Sequence, residues 1–100
     1  MDIKNIDEGV ALFRATPGAV LLDVRNEGEY ADGHIPGSVN LPLIQIPKIG
    51  EIVEDLDTPL FVHCLSGGRS GRAVAFLQEQ GYTKAVNIGG IKAYTGEVEK

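Results

Sequence analysis

The one cysteine of the chain, Cys64, opens the run Cys64-Leu65-Ser66-Gly67-Gly68-Arg69-Ser70, directly after the apolar segment Pro59-Leu60-Phe61-Val62-His63. A lone thiol has no partner in the chain for a disulfide. Sulfur placed where an apolar strand ends and a helix begins meets converging backbone N–H groups and the positive end of the helix dipole, and both stabilise an anion. A free thiol ionises near about pH 8.5, and such surroundings depress that value, so the spacing predicts a thiolate nucleophile at neutral pH. Gly67 and Gly68 let the backbone take left-handed or otherwise strained angles that turn successive amides inward; a larger residue there would tilt them away. A free cysteine is often an inert core residue, but the Gly-Gly-Arg-Ser continuation argues against that here.

The polar residues around this run have plainer readings. Arg69 carries a planar fork of donors, suited either to an oxyanion at the mouth of the loop or to a neighbouring carboxylate that braces it. Arg72, one turn further on, is a solvated helix charge. His63 precedes Cys64, but adjacent strand residues point to opposite faces, so it is expected to serve packing and not a catalytic dyad. His34, in Gly33-His34-Ile35-Pro36-Gly37, is expected to fix a turn that Pro36-Gly37 makes rigid. Asp23, Arg25 and Glu29 form an expected ion-pair cluster supporting the fold, because charges near a core need partners. One cysteine and two histidines exclude a structural zinc site, and no metal or other cofactor is expected.

These groups need a scaffold. Val20-Leu21-Leu22-Asp23-Val24 and Pro59-Leu60-Phe61-Val62-His63-Cys64 are short, nearly continuous apolar runs of the kind covered on both faces, and Ala85-Val86-Asn87-Ile88 is a third. Ile3 to Ile6 and Ser38 to Leu41 add two possible short strands, bounded by turn residues. Helices are predicted over Asp7–Ala15 with Asp7 as N-cap, Glu27–Ala31 after Asn26, Ile44–Leu56, and Arg69–Gln80 ending at a left-handed Gly81. Alternating strands and helices imply a parallel sheet with crossover helices, an α/β domain whose site lies at the C-terminal edge of the strands. Cys64 is at such an edge.

A chain of 100 residues is expected to form one domain, residues 1–100, and 43% hydrophobic with 23% charged residues is ordinary for a soluble globular protein. The formal net charge of −5 disfavours nucleic acid and anionic membrane surfaces as partners. No apolar run approaches the roughly 20 residues of a membrane span, and Met1-Asp2-Ile3-Lys4-Asn5 lacks the basic start and apolar core of a signal peptide. A cytoplasmic, reducing location is the expectation, in keeping with the unpaired thiol.

Taken in order, Leu22-Asp23-Val24-Arg25, the stretch Glu29-Tyr30-Ala31-Asp32-Gly33-His34-Ile35-Pro36-Gly37-Ser38-Val39-Asn40-Leu41-Pro42, the Cys64 loop, and Asn87-Ile88-Gly89-Gly90-Ile91 resemble a single-domain rhodanese-like sulfurtransferase over nearly the whole chain. The resemblance implies a three-layer α/β/α domain. Its sheet would hold five parallel strands in the order 1-5-4-2-3, with the active cysteine after the fourth. Tyr94 stands where many members have tryptophan. The resemblance also implies catalysis by Cys64, substrate contacts from Leu65, Ser66, Gly67, Gly68, Arg69 and Ser70, and a hydrogen bond from the Ser70 hydroxyl to sulfur.

The implied reaction begins with the Cys64 thiolate taking the outer sulfur of thiosulfate or a persulfide. It then hands that sulfur to a thiol, cyanide or protein thiol, and the donor is a small molecule or a protein persulfide. Thiol exchange requires no general base, which fits the lack of a triad. Phosphatases of the cell-cycle type resemble the same fold but place five residues between cysteine and arginine, whereas only Leu65, Ser66, Gly67 and Gly68 intervene here. An arsenate reductase would need a second cysteine. A non-catalytic interaction module is the remaining alternative, although such modules commonly lose the cysteine.

Overall fold

The computed structural model of the protein describes residues 3–100. In chain order the elements are α1 (Ile6–Ala15), β1 (Val20–Asp23), α2 (Glu27–Asp32), β2 (Ser38–Asn40), a 3₁₀ helix (Leu43–Glu51), β3 (Leu60–Cys64), α3 (Gly68–Glu79), β4 (Ala85–Gly90) and a short 3₁₀ turn (Ile91–Ala93). The four strands pair in the order β2-β1-β3-β4, and every pairing is parallel. Parallel neighbours need crossovers, and the intervening helices cover both faces, which is why all five residues of β3 are buried.

Alternation along β3 divides the core. Leu60, Val62 and Cys64 join Leu22, Val24, Ile46, Ile49, Ala73 and Leu77 on the face covered by α3 and the long 3₁₀ helix. Phe61 points the other way, among Ile6, Val10, Leu21, Ile35 and Ile88 beneath α1. Cys64 therefore ends a central strand on the α3 side.

The implied fifth strand is absent among the described residues. Ile6 begins α1 and is buried, and Asn5, not Asp7, is the N-cap: its side chain accepts the Glu8 amide at 2.9 Å. Asp7 instead receives the amide and hydroxyl of Thr95 at 2.9 and 2.7 Å. Read from β4, the sheet runs β4-β3-β1-β2, which is the implied order without its first strand.

Other boundaries shift for local reasons. The expected helix over residues 44–56 is a 3₁₀ helix ending at Glu51, with Pro47 inside it removing a backbone donor. Cys64 closes β3 and does not lie beyond it, and α3 begins at Gly68 and ends at Glu79. Gly81 has the expected positive φ, 104°. Strand β4 runs on to Gly90, with a register shift opposite Val62 and His63 that moves Ile88 out of the pairing.

Candidate active site

The sequence after β3 has no side chain to cap α3: the N-cap is Gly67, at φ 101° and ψ −11°, and it makes no side-chain cap bond. The amides at this helix start would be left without acceptors. Cys64 fills that role from three residues upstream, its Sγ accepting the Gly67 amide at 3.0 Å. The Ser66 and Ser70 amides lie beside the sulfur and favour its anion, and the Ser70 hydroxyl lies 3.4 Å away. Burial pushes the Cys64 thiol pKa up, but the Ser70 hydroxyl and the amides of Ser70, Gly67 and Ser66 outweigh it and leave the thiol below its ordinary value. The residue is only 1% exposed, so the sulfur is at the floor of the loop, beneath exposed Leu65 and Ser66.

Strand β4 holds this loop in place. The Asn87 side-chain amide donates to the Gly67 carbonyl at 3.1 Å, while its oxygen accepts the Gly89 amide at 3.0 Å and the Ser70 hydroxyl at 2.7 Å. The Ser70 hydroxyl has one proton, so its shorter bond to Asn87 competes with the bond to sulfur. Further along, the Lys92 amide donates to the Leu65 carbonyl at 3.1 Å. Gly90 is required by proximity, since a Cβ there would collide with the backbone of Leu65 and Ser66. Asn87 was legible only as part of a strand. A polar residue between Val86 and Ile88, just before two glycines, was the available signal.

Arg69 makes the bracing contact. Its two terminal nitrogens donate to the two carboxylate oxygens of Glu29 at 2.7 and 3.0 Å. The Arg69 guanidinium holds the Glu29 carboxyl down at about 2, against the opposing effect of burial and with help from the Asn26 amide. Glu29 in turn accepts the Asn26 amide at 3.0 Å, while Asn26 accepts the Glu29 amide at 2.8 Å, a reciprocal cap on α2. The expected cluster of Asp23, Arg25 and Glu29 is therefore split. Asp23 and Arg25 form a buried pair at 2.8 Å, and Arg25 also donates to the Gly33 carbonyl at 2.8 Å, while Glu29 reaches across to the loop. The spacing of Asn26 and Glu29 was the missed signal, because a capping box fixes where its carboxylate points.

His63 is fully buried on the face opposite Cys64, as alternation requires. Its Nδ1 lies 3.3 Å from the Cys64 carbonyl, and its Nε2 is 3.8 Å from Asp23 with no hydrogen-bond partner. Burial pushes the imidazole pKa down. His34 fixes its turn as expected, through Nδ1 to the Tyr30 carbonyl at 2.9 Å and a ring stacked on Tyr30 at 3.9 Å. Arg72 is exposed on α3. Among the described residues no group of three His, Cys, Asp or Glu side chains is placed to hold a metal.

A parallel α/β sheet that delivers a single cysteine into a ring of amides at a helix start defines a narrow class of proteins. The sequence matches the rhodanese-like domain family over residues 6–97, and the chain belongs to that family. It is 41% identical over 81 residues to a sulfurtransferase of Allochromatium vinosum, an alignment covering 79% of this chain and 74% of that protein. It is 36% identical to the thiosulfate sulfurtransferase GlpE of Stutzerimonas stutzeri, covering 89% of this chain and 81% of the relative. In three dimensions it is similar to a rhodanese with anions from E. coli, with a TM-score of 0.76 at 34% identity over 82% of this chain and 98% of that one.

Proposed function

We propose that the protein is a sulfurtransferase that carries sulfane sulfur on Cys64. The observation that carries this reading is the sulfur itself, which takes a hydrogen bond from the Gly67 amide in place of a helix cap and has the Ser66 and Ser70 amides and the Ser70 hydroxyl beside it. Those donors favour an anion at that point. The naming of similar proteins as sulfurtransferases, one of them for thiosulfate, supports the same chemistry.

In the first step the Cys64 thiolate attacks the outer sulfur of the donor. A new S–S bond to Cys64 forms, the donor's S–S bond breaks, and sulfite or a thiolate leaves with the electron pair. In the second step an acceptor, cyanide or a thiolate, attacks the outer sulfur of the Cys64 persulfide and restores the Cys64 thiolate. The redox balance closes within the sulfur atoms, and no general base is needed because both nucleophiles are already anions. The loop amides hold the negative charge throughout. Leu65, Ser66, Gly67, Gly68 and Ser70 line the sulfur, and Arg69 stands at the mouth paired with Glu29.

The short spacing from Cys64 to Arg69 disfavours a tetrahedral phosphate cradled by the whole loop. The test has two readouts. Incubation with thiosulfate or glutathione persulfide should leave the intact protein heavier by one sulfur atom on Cys64, and thiosulfate plus cyanide should yield thiocyanate with no phosphate released from an aryl phosphate. Cys64→Ser should abolish both sulfur loading and transfer with the circular dichroism spectrum unchanged. Absence of any adduct from either donor would instead mark an interaction module.

A further inference from the structure

The Arg69–Glu29 pair contains more information than a brace, and the inference drawn from it rests on the sulfurtransferase reading above. Arg69 is the one guanidinium within the Cys64 loop, and both of its terminal nitrogens are committed to one carboxylate in a bidentate pair. That carboxylate cannot swing away freely. Glu29 also caps α2 through the Asn26 amide, and the N-cap Asn26 follows directly on Arg25, whose side chain is fastened to Asp23 and the Gly33 carbonyl. The pair is only partly covered, with side chains 30% and 27% exposed, so it stands at the mouth and not in the core. Beside it, exposed Leu65 is apolar. The entrance therefore presents a neutral ion pair and an aliphatic side chain where a free cation would otherwise stand.

Donor charge then decides the rate of the first step. Attack on thiosulfate brings a thiolate against a dianion, and with the Arg69 charge matched by Glu29 the two repel. Attack on a protonated persulfide, R–S–SH, brings the thiolate against a neutral sulfur: Cys64–S⁻ bonds to the outer sulfur, the S–S bond breaks, and R–S⁻ leaves while the proton stays on the transferred sulfur. We infer that Glu29 is a specificity-determining residue which neutralises Arg69 and biases the loop toward thiol persulfides and against thiosulfate.

The experiment compares kcat/KM for thiosulfate and for glutathione persulfide in the wild type, Glu29→Gln, Arg69→Gln and the double variant. Glutamine still offers an oxygen to the Asn26 amide, so the cap on α2 is retained. Glu29→Gln should raise the thiosulfate-to-persulfide ratio by about tenfold, and the gain should shrink with added salt, as a freed surface charge requires. Arg69→Gln in the Glu29→Gln background should return the ratio to near its wild-type value. An unchanged or lowered ratio in Glu29→Gln, with wild-type protein that loads sulfur normally, overturns the role of Glu29 and leaves the sulfurtransferase assignment standing. Failure of wild-type Cys64 to load from either donor overturns both.

Discussion

In the proposed reaction the acidity of Cys64 turns on how one hydroxyl, that of Ser70, divides between the sulfur and Asn87. The Ser70 hydroxyl lies 2.7 Å from Asn87 and 3.4 Å from Cys64, so it turns toward sulfur only when negative charge there strengthens that bond. Ser70→Ala removes this donor and leaves the three amides in place. The midpoint of Cys64 alkylation against pH should then move upward, and the alkylation rate at neutral pH should fall by about fivefold to tenfold, the worth of one ordinary hydrogen bond shared with Asn87. An unmoved midpoint would show that the amides alone set the thiol. Cys64 was identifiable from its neighbours in the sequence because every donor that faces it, apart from geometry, lies within six residues. Asn87 and Glu29 were not, because their contacts with the loop span twenty and forty residues of chain.

At the scale of elements, two glycines separate stability from function. Gly9 on α1 sits against Ile88 of β4, where an added Cβ would approach the isoleucine Cβ to 2.5 Å. Gly9→Ala should therefore lower stability by about 1–3 kcal/mol through overpacking, read by urea unfolding, with sulfur loading per folded molecule unchanged. Gly90 lies under the loop, and its alanine variant forces the Leu65 and Ser66 backbone to move. Loading should fall at least tenfold in folded Gly90→Ala, because the amide of Ser66 is among those that face sulfur. Equal loading by the two variants would contradict this division. The helices and strands themselves were legible from apolar runs and caps. The errors fell where one local signal competed with another, as with Asn5 against Asp7 at the start of α1 and Pro47 within the expected longer helix.

On the scale of the whole molecule, His63 and Glu29 are acid-sensitive groups of different depth. His63 is fully buried and its Nε2 has no hydrogen-bond partner. Burial lowers its folded pKa below the ordinary 6.5, so below that pH the unfolded chain binds the proton more readily, and stability is lost as the pH falls. Above that value it adds no slope. Glu29 acts lower: its folded pKa near about 2 lies beneath the ordinary 4.5, so its contribution is complete above 4.5 and is lost as the pH falls toward 2. Being partly exposed, that pair is worth about 1 kcal/mol at most. Free energies of unfolding measured between neutral pH and about pH 5 should fall in the wild type and change much less in His63→Asn. A wild-type profile flat across this range would mean the imidazole accepts its proton inside the fold.

By itself the sequence determined the local chemistry: a strand that must be covered on both sides, a loop whose glycines turn its amides inward, and a thiol placed at a helix start. Such features follow from residues a few positions apart, and short-range sterics and hydrogen bonding decide them. Only the tertiary structure decided which carboxylate neutralises Arg69, which amide side chain ties the Cys64 loop to β4, and that the sheet holds four strands among the described residues. Those outcomes depend on parallel pairing between segments distant in the chain, where register and a one-residue shift in β4 settle which side chains meet.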